Sequence, residues 1–385
     1  MKKIFLLIIL SVGMLSAQNS NLLRFPSINN DGSKIAFSFQ GDIWTVPVSG
    51  GKAVRLTIHE AYESSPKWNN SGDKIAFSGS RFGNNDVFVV SADGGIPTRL
   101  TYNSANDAVA GWTAKDEVIF TTNRSFVQIE WDSEIHTIPA GGGTSKRILN
   151  AVGDMPAISP NGKLIAFVMG SCRISRETYE GPANREIWIW NSETDEYHKI
   201  TDYNGNDIFP QWASDTKIYF LSPKSGRYNI YTIDIAANGA KSSEPTPITN
   251  YDDDGIRYLT LSLDGSTAVF EKGTDIYLMN TSDNNVERVD IEIAADYKFD
   301  PYERKTYSSS ATDYAVSPNG EYSALEIHGE IYVKENDKDK SRTVNVSKHS
   351  FRDQQPLWLN DSTLIFTSDR NGQYDFYLVK SADDS

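Results

Sequence analysis

The chain has 385 residues, 39% of them hydrophobic and 11% aromatic. At roughly 100–200 residues per domain this length fits about two domains, and the apolar fraction suits a packed core, which excludes global disorder. Lys and Arg number 37 against 51 Asp and Glu, a net charge of −14; so acidic a chain lacks the basic face that phosphate binding needs, which excludes nucleic acid as the partner.

The first 17 residues read as an export signal. Lys2 and Lys3 form a basic start, Ile4 to Leu15 is mostly apolar, and Ser16-Ala17 offers a small-residue cleavage site before Gln18. The apolar run is too short for a permanent membrane anchor, so the expected location is periplasmic or secreted, with no membrane contact after cleavage. Removing Lys2 and Lys3 takes the charge from −14 to −16. Cys172 is the only cysteine, so no intrachain disulfide forms and stability must come from packing.

From Leu22 a repeat sets in. PSINNDGSKIAF at 26–37 returns as PKWNNSGDKIAF at 66–77, PAISPNGKLIAF at 156–167 and PQWASDTKIYF at 210–220. Weaker copies are GWTAKDEVIF at 111–120 and LTLSLDGSTAVF at 259–270. In each copy an apolar strand leads into an Asn/Asp-Gly-type turn and then a β-rich strand, a hairpin signal because Gly and Asn accept the positive φ of such turns. A third strand follows, beginning at Asp42, Asp86, Glu134, Glu186, Asn229 and Asp275. A fourth reads RLT at 55–57 and 99–101, KIT at 199–201 and PIT at 247–249. Four short strands per repeat of 40 to 55 residues predict one propeller blade each. No segment shows an apolar stripe at helical spacing.

Six such repeats fill residues 22–290, which predicts a six-bladed β-propeller of four-stranded blades in an all-β fold. Residues 291–310 break the period and read as a junction. Two further repeats, YAVSPNGEYSAL at 314–325 and PLWLNDSTLIF at 356–366, place the first two blades of a second propeller over 311–385. The last of them has a third strand near Asp375–Val379 and no fourth, which would leave an open edge; the chain is therefore expected to be the front part of a longer protein.

These strings together resemble the tricorn protease family. The resemblance runs over nearly the whole mature chain and is carried by GDIWTVPVSGGKAVRLT at 41–57, RLTYNSANDAVAGW at 99–112, KITDYNGNDIFPQW at 199–212, YFLSPKSGRYNIY at 219–231 and HGEIYV at 328–333. It implies a six-bladed propeller, a second propeller, a PDZ-containing region and a serine peptidase core, with the catalytic Ser and His in the later regions. It also implies propellers that filter or channel peptides, with room for a homo-oligomer. One stretch departs from the family, the insertion GSCRISRETYEGPAN at 170–184, where the family is richer in aromatic and basic residues.

Catalytic chemistry is not legible in the residues. No G-x-S-x-G occurs, and the strings Ser64 to Lys67 and Ser71 to Lys74 fall in repeat turns whose counterparts lack them. His59, His136, His198, His328 and His349 are scattered over different repeats without zinc-binding spacing. Asp202, Asn204 and Asn206 imitate the start of a calcium loop, but the Gly and the closing Glu are misplaced, and Asp252 to Asp254 fit a solvated turn. No catalytic residue, metal or cofactor is expected.

Two constellations remain. Glu63, Asp107 and Asp207 each sit six positions after the Thr of the fourth strand, and Asp154 and Asp254 fall close to the same place. In a closed ring they would circle one tunnel mouth and draw in basic peptides or cations, or else tie neighbouring blades together by hydrogen bonds. Trp68, Trp112, Trp212 and Trp358 share one position, occupied by Ile28 and Ile158 elsewhere, which favours packing between blades over a stacking platform for peptides. The function expected is a non-catalytic peptide-gating or scaffold region of an exported tricorn-like serine peptidase. The alternative is a TolB-like periplasmic propeller that binds a partner protein and has no peptidase.

Overall fold

The computed structural model describes residues 22–125, 132–294, 305–339 and 342–380. The expected signal at 1–17 and part of the expected junction lie outside the described residues. The chain divides into two compact units at Lys298/Phe299. Both are all-β, built mostly of four-stranded antiparallel sheets, as propeller blades are.

The first unit holds six four-stranded sheets in chain order, each with its strands arranged one to four from inside to outside. The innermost strands are Arg24–Ile28, Glu63–Trp68, Asp107–Trp112, Asp154–Ile158, Ile208–Ser214 and Tyr258–Leu261. Each packs against the innermost strand of the next sheet, and the sixth packs against the first, so the ring is complete. The second strands supply the core: Phe37, Phe77, Phe120, Phe167, Phe220 and Phe270 occupy one repeat position and are fully buried between sheets.

The repeated strings each have a structural cause. Gly32, Gly72, Gly162 and Gly265 take φ of 70 to 77° in the first hairpin, a region open to glycine without penalty. Just before them, Asn29 and Asn69 accept hydrogen bonds through their side-chain oxygens from the backbone N–H of Lys34 and Lys74 at 2.9 and 3.0 Å. Ser159 and Ser262 do the same for Leu164 and Thr267. The fourth strands pair over only two to four residues, so the third strand needs another acceptor where they end. The Thr of R-L-T provides it: the N–H groups of Ile43, Val87 and Ile187 donate to Thr57, Thr101 and Thr201 Oγ1 at 2.9 to 3.0 Å. The acid that opens the third strand pairs across to the base of the fourth, as Asp86 with Arg99 at 2.7 Å and Glu186 with Lys199 at 2.6 Å.

The ring closes through several small links. Leu23 N–H donates to Thr274 O at 3.2 Å, and Arg24 pairs with Glu271 at 3.1 Å. Ile291–Glu292, within the expected junction, forms a short parallel pair with Gly51–Lys52 of the first sheet. Gly50 takes φ of 81°, and a Cβ there would overlap the carbonyl of Asp290, so the first glycine of the G-G string is fixed by this closure.

The second unit contains a four-stranded sheet, Ala311–Val316 to Thr343–Asn345, and a three-stranded sheet of Asp353–Asn360, Thr363–Ser368 and Asp375–Lys380. Its own core gathers Ala324, Ile331, Val333, Trp358, Leu364 and Phe366. No described helix is long and apolar enough to cross a membrane.

Candidate functional site

The innermost strands of the first unit line an axial channel, and a recurring backbone feature shapes it. Phe25, Ser65, Met155 and Phe209 all have φ of 50 to 55° although none is glycine, and each precedes a proline. That conformation costs about 1–3 kcal/mol per residue. At each of the four positions the pairing with the second strand shifts register, which is a β-bulge. Bulges re-aim side chains, and here Ser65, Met155 and Phe209 line the channel.

The channel comprises two adjoining cavities of about 150 Å³ each, which share Lys67, Ala110, Pro156 and Gln211. One, lined by residues of all six sheets, lies toward the ends of the innermost strands and is walled by Trp68, Trp112 and Trp212. The other lies toward the strand starts and is walled by Asp154, Phe209 and Tyr258. Water occupies about 30 Å³ per molecule, so each cavity holds roughly five waters or a residue or two of extended chain.

Lys67 and Asp154 are the charged residues that line the two cavities. Asp154 accepts from the N–H of Met155 at 2.9 Å, and Arg185 lies 3.9 Å from its other oxygen. Lys67 extends its ammonium over the ring of Tyr258, 5.0 Å from the centroid, and burial pushes its pKa down to about 8. Burial also holds the Tyr258 hydroxyl well above the usual tyrosine range.

The family described as "Tricorn protease N-terminal beta propeller domain" matches residues 20–285. The chain belongs to the tricorn protease N-terminal propeller family. Among curated relatives, a tricorn protease homolog of Saccharolobus solfataricus is 27% identical over 317 residues, covering 80% of this chain and 28% of the relative. Tricorn protease homolog 1 of Streptomyces coelicolor is 28% identical over 277 residues, covering 70% and 25%. The chain thus spans between a quarter and a third of the length of these relatives. The crystal structure of the tricorn protease shares the fold, with a TM-score of 0.67 at 18% identity over 93% of this chain and 35% of that one. A similarity to the Tol-Pal system protein TolB of Francisella tularensis is more distant, 27% identity over 166 residues, or 41% of this chain and about 38% of that protein.

Within this tricorn-type ring the five acidic positions diverge. Glu63 and Asp107 are fully buried at the first residue of their innermost strands. Their N–H groups donate to Gly41 O and Asn85 O of the preceding sheet, and Arg81 and Arg124, two residues beyond the second strand, pair with their carboxylates at 2.5 and 2.6 Å. Asp207 makes the same backbone bond, to Arg185 O, but has Lys224 at the arginine position. Burial raises its pKa to about 7 against the pull of Ser222, Thr201 and Lys224. Asp154 lines the channel. Asp254 is half-buried, accepts from Gly273 N–H at 3.0 Å and pairs with Arg257 at 3.1 Å.

The tryptophans do tie blades together. Trp68, Trp112 and Trp212 donate their indole N–H to Ser27 O, Lys67 O and Ala157 O of the preceding innermost strand at 2.9 to 3.1 Å, and Trp358 does the same to Ala315 O in the second unit. Asn206 is a buried structural residue that accepts from Arg185 N–H and donates to Arg176 O within the 170–184 insertion. Cys172 is buried. Among the described residues no cluster of three or more His, Cys, Asp or Glu is arranged to hold a metal.

The bulges and Lys67 are what sequence reasoning missed. Their signal was the x-Pro step repeated at Pro26, Pro66, Pro156 and Pro210. It reads as a strand start, and only the register shift reveals that the residue before it turns into the channel.

Proposed function

We propose that this region is the non-catalytic propeller part of an exported tricorn-like serine peptidase, and that its axial channel admits extended peptides. In this reading residues 22–290 are a six-bladed propeller, 291–310 a junction and 311–385 the first blades of a second propeller. The observation that carries the reading is the channel, lined by all six sheets and of small volume, in a chain of the tricorn N-terminal propeller family. The channel walls offer bulged side chains, indole faces and a lysine, a lining suited to passing contacts with a peptide rather than to bond cleavage.

The test is to express the complete coding sequence beside this 385-residue region and to incubate both with unstructured peptides. The reading expects cleavage by the complete protein and none by the region alone. Cleavage by neither, with a protein partner captured instead, would favour a TolB-like binding propeller, a reading that rests on the partial match to TolB. Export is checked by sequencing the mature N-terminus, expected at Gln18.

A further inference from the structure

We infer that Lys67 makes the midpoint of the axial channel a carboxylate-binding station, at which a passing peptide is held by its C-terminal carboxylate or by an Asp or Glu side chain. This rests on the channel reading above and adds to it a class of ligand.

Lys67 lies two residues after the bulge at Ser65, and it lines both cavities. The equivalent positions two residues past the bulge are Ser27, Ala157 and Gln211 in other sheets, so a cation here is not demanded by the repeat. A core position would not favour it either, since burying an ammonium without a counter-charge is costly.

Among the described residues no carboxylate lies within 4.0 Å of Lys67 to form a salt bridge, in contrast to Arg24, Arg55, Arg81, Arg99 and Arg124 of the same unit. Its neighbour is the face of Tyr258, a contact that orients an ammonium while leaving its N–H donors free. Asp154, the other charged group on the lining, already takes a backbone N–H and has Arg185 beside it. The midpoint of the channel therefore carries positive charge in a partly dehydrated space, where a charge-assisted hydrogen bond to a carboxylate is stronger than in water.

The experiment measures binding of three short peptides of equal length by the quenching of Trp68, Trp112 and Trp212, which wall the adjoining cavity. One peptide has neutral side chains and a free C-terminus, the second is its C-terminal amide, and the third is an amide with one Glu. Charge-assisted bonds of this kind are worth about tenfold or more in affinity. The wild-type chain is expected to bind the first, the third or both at least about tenfold more tightly than the second. Which of them does so tells terminal from side-chain recognition. Lys67→Met should remove the preference while leaving the amide's affinity unchanged, and Lys67→Arg should keep it. The preference should also fade between about pH 7 and 9.5 as the ammonium, with its pKa near 8, loses its proton. Asp154 and Tyr258 are the other titratable groups on the lining, and burial keeps Tyr258 protonated across this range. Peptides that bind without any carboxylate preference, or a preference that survives Lys67→Met, would overturn the assignment and leave the channel reading standing. Failure of all three peptides to bind would overturn both.

Discussion

Replacing Asp207 with Asn removes a buried carboxyl whose pKa is raised from 3.8 to about 7, chiefly by burial. Between about pH 4 and 7 the folded chain therefore holds a proton that the unfolded chain has released. By linkage, stability falls as pH rises through that window, and the cost is fully present above about pH 7. A shift of about 3 units at 1.36 kcal/mol per unit amounts to roughly 4 kcal/mol at pH 8. The amide keeps the shape of the carboxyl and carries no charge, so Asp207→Asn should be more stable than wild type at pH 8 by up to about 4 kcal/mol, and equal to it within about 1 kcal/mol at pH 4. Urea denaturation midpoints at several pH values read this directly. Asp107→Asn is the contrast: it leaves Arg124, half of an ion pair at 2.6 Å, without its buried partner and should destabilise by about 3–5 kcal/mol at pH 8. A variant Asp207→Asn that is less stable than wild type at pH 8, or whose advantage is the same at pH 4, would refute the reasoning.

Three further outcomes follow from the bonds within and between the blades. Thr101→Val takes the acceptor from the buried Val87 N–H and should cost about 1–3 kcal/mol in chemical denaturation. Trp212→Phe keeps an aromatic ring but strands Ala157 O; it should lower stability by a comparable ~1–3 kcal/mol and speed hydrogen exchange along Asp154–Ile158. Gly50→Ala forces a Cβ against Asp290 O at a φ of 81°, so it should loosen the pairing of Ile291–Glu292 with Gly51–Lys52, seen as faster exchange at Gly51 and Ala53 N–H while the central second strands stay protected.

The sheets were legible because the repeat encodes them locally. The hairpin Asn or Ser, the turn Gly, the third-strand acid and the Thr of R-L-T each act within one blade, and each left a mark at fixed spacing. The inter-blade role of the tryptophans was legible too, because Ile28 and Ile158 fill the same place. The acid positions gave only half of their meaning. Spacing placed Glu63, Asp107 and Asp207 together, but their partners Arg81 and Arg124, and the Lys224 that stands in for an arginine, sit 17 or 18 residues away, beyond the hairpin grammar. The channel was the least legible. Its wall depends on bulges, and a register shift reverses which side chains face inward, so Lys67, read as the end of a chance S-x-x-K string in a turn, gave no sign that it sits in the strand Glu63–Trp68 on the channel wall.

The most direct test of the account is to plug the channel. Ala110 lines both cavities, and Ala110→Trp would fill much of a space of about 150 Å³. In the complete protein the account predicts that this variant, folded by thermal melting, loses at least about tenfold in turnover of unstructured peptides while a small chromogenic substrate is cleaved at a rate much closer to wild type. Unchanged peptide turnover with the channel blocked would contradict the claim that peptides pass along this axis.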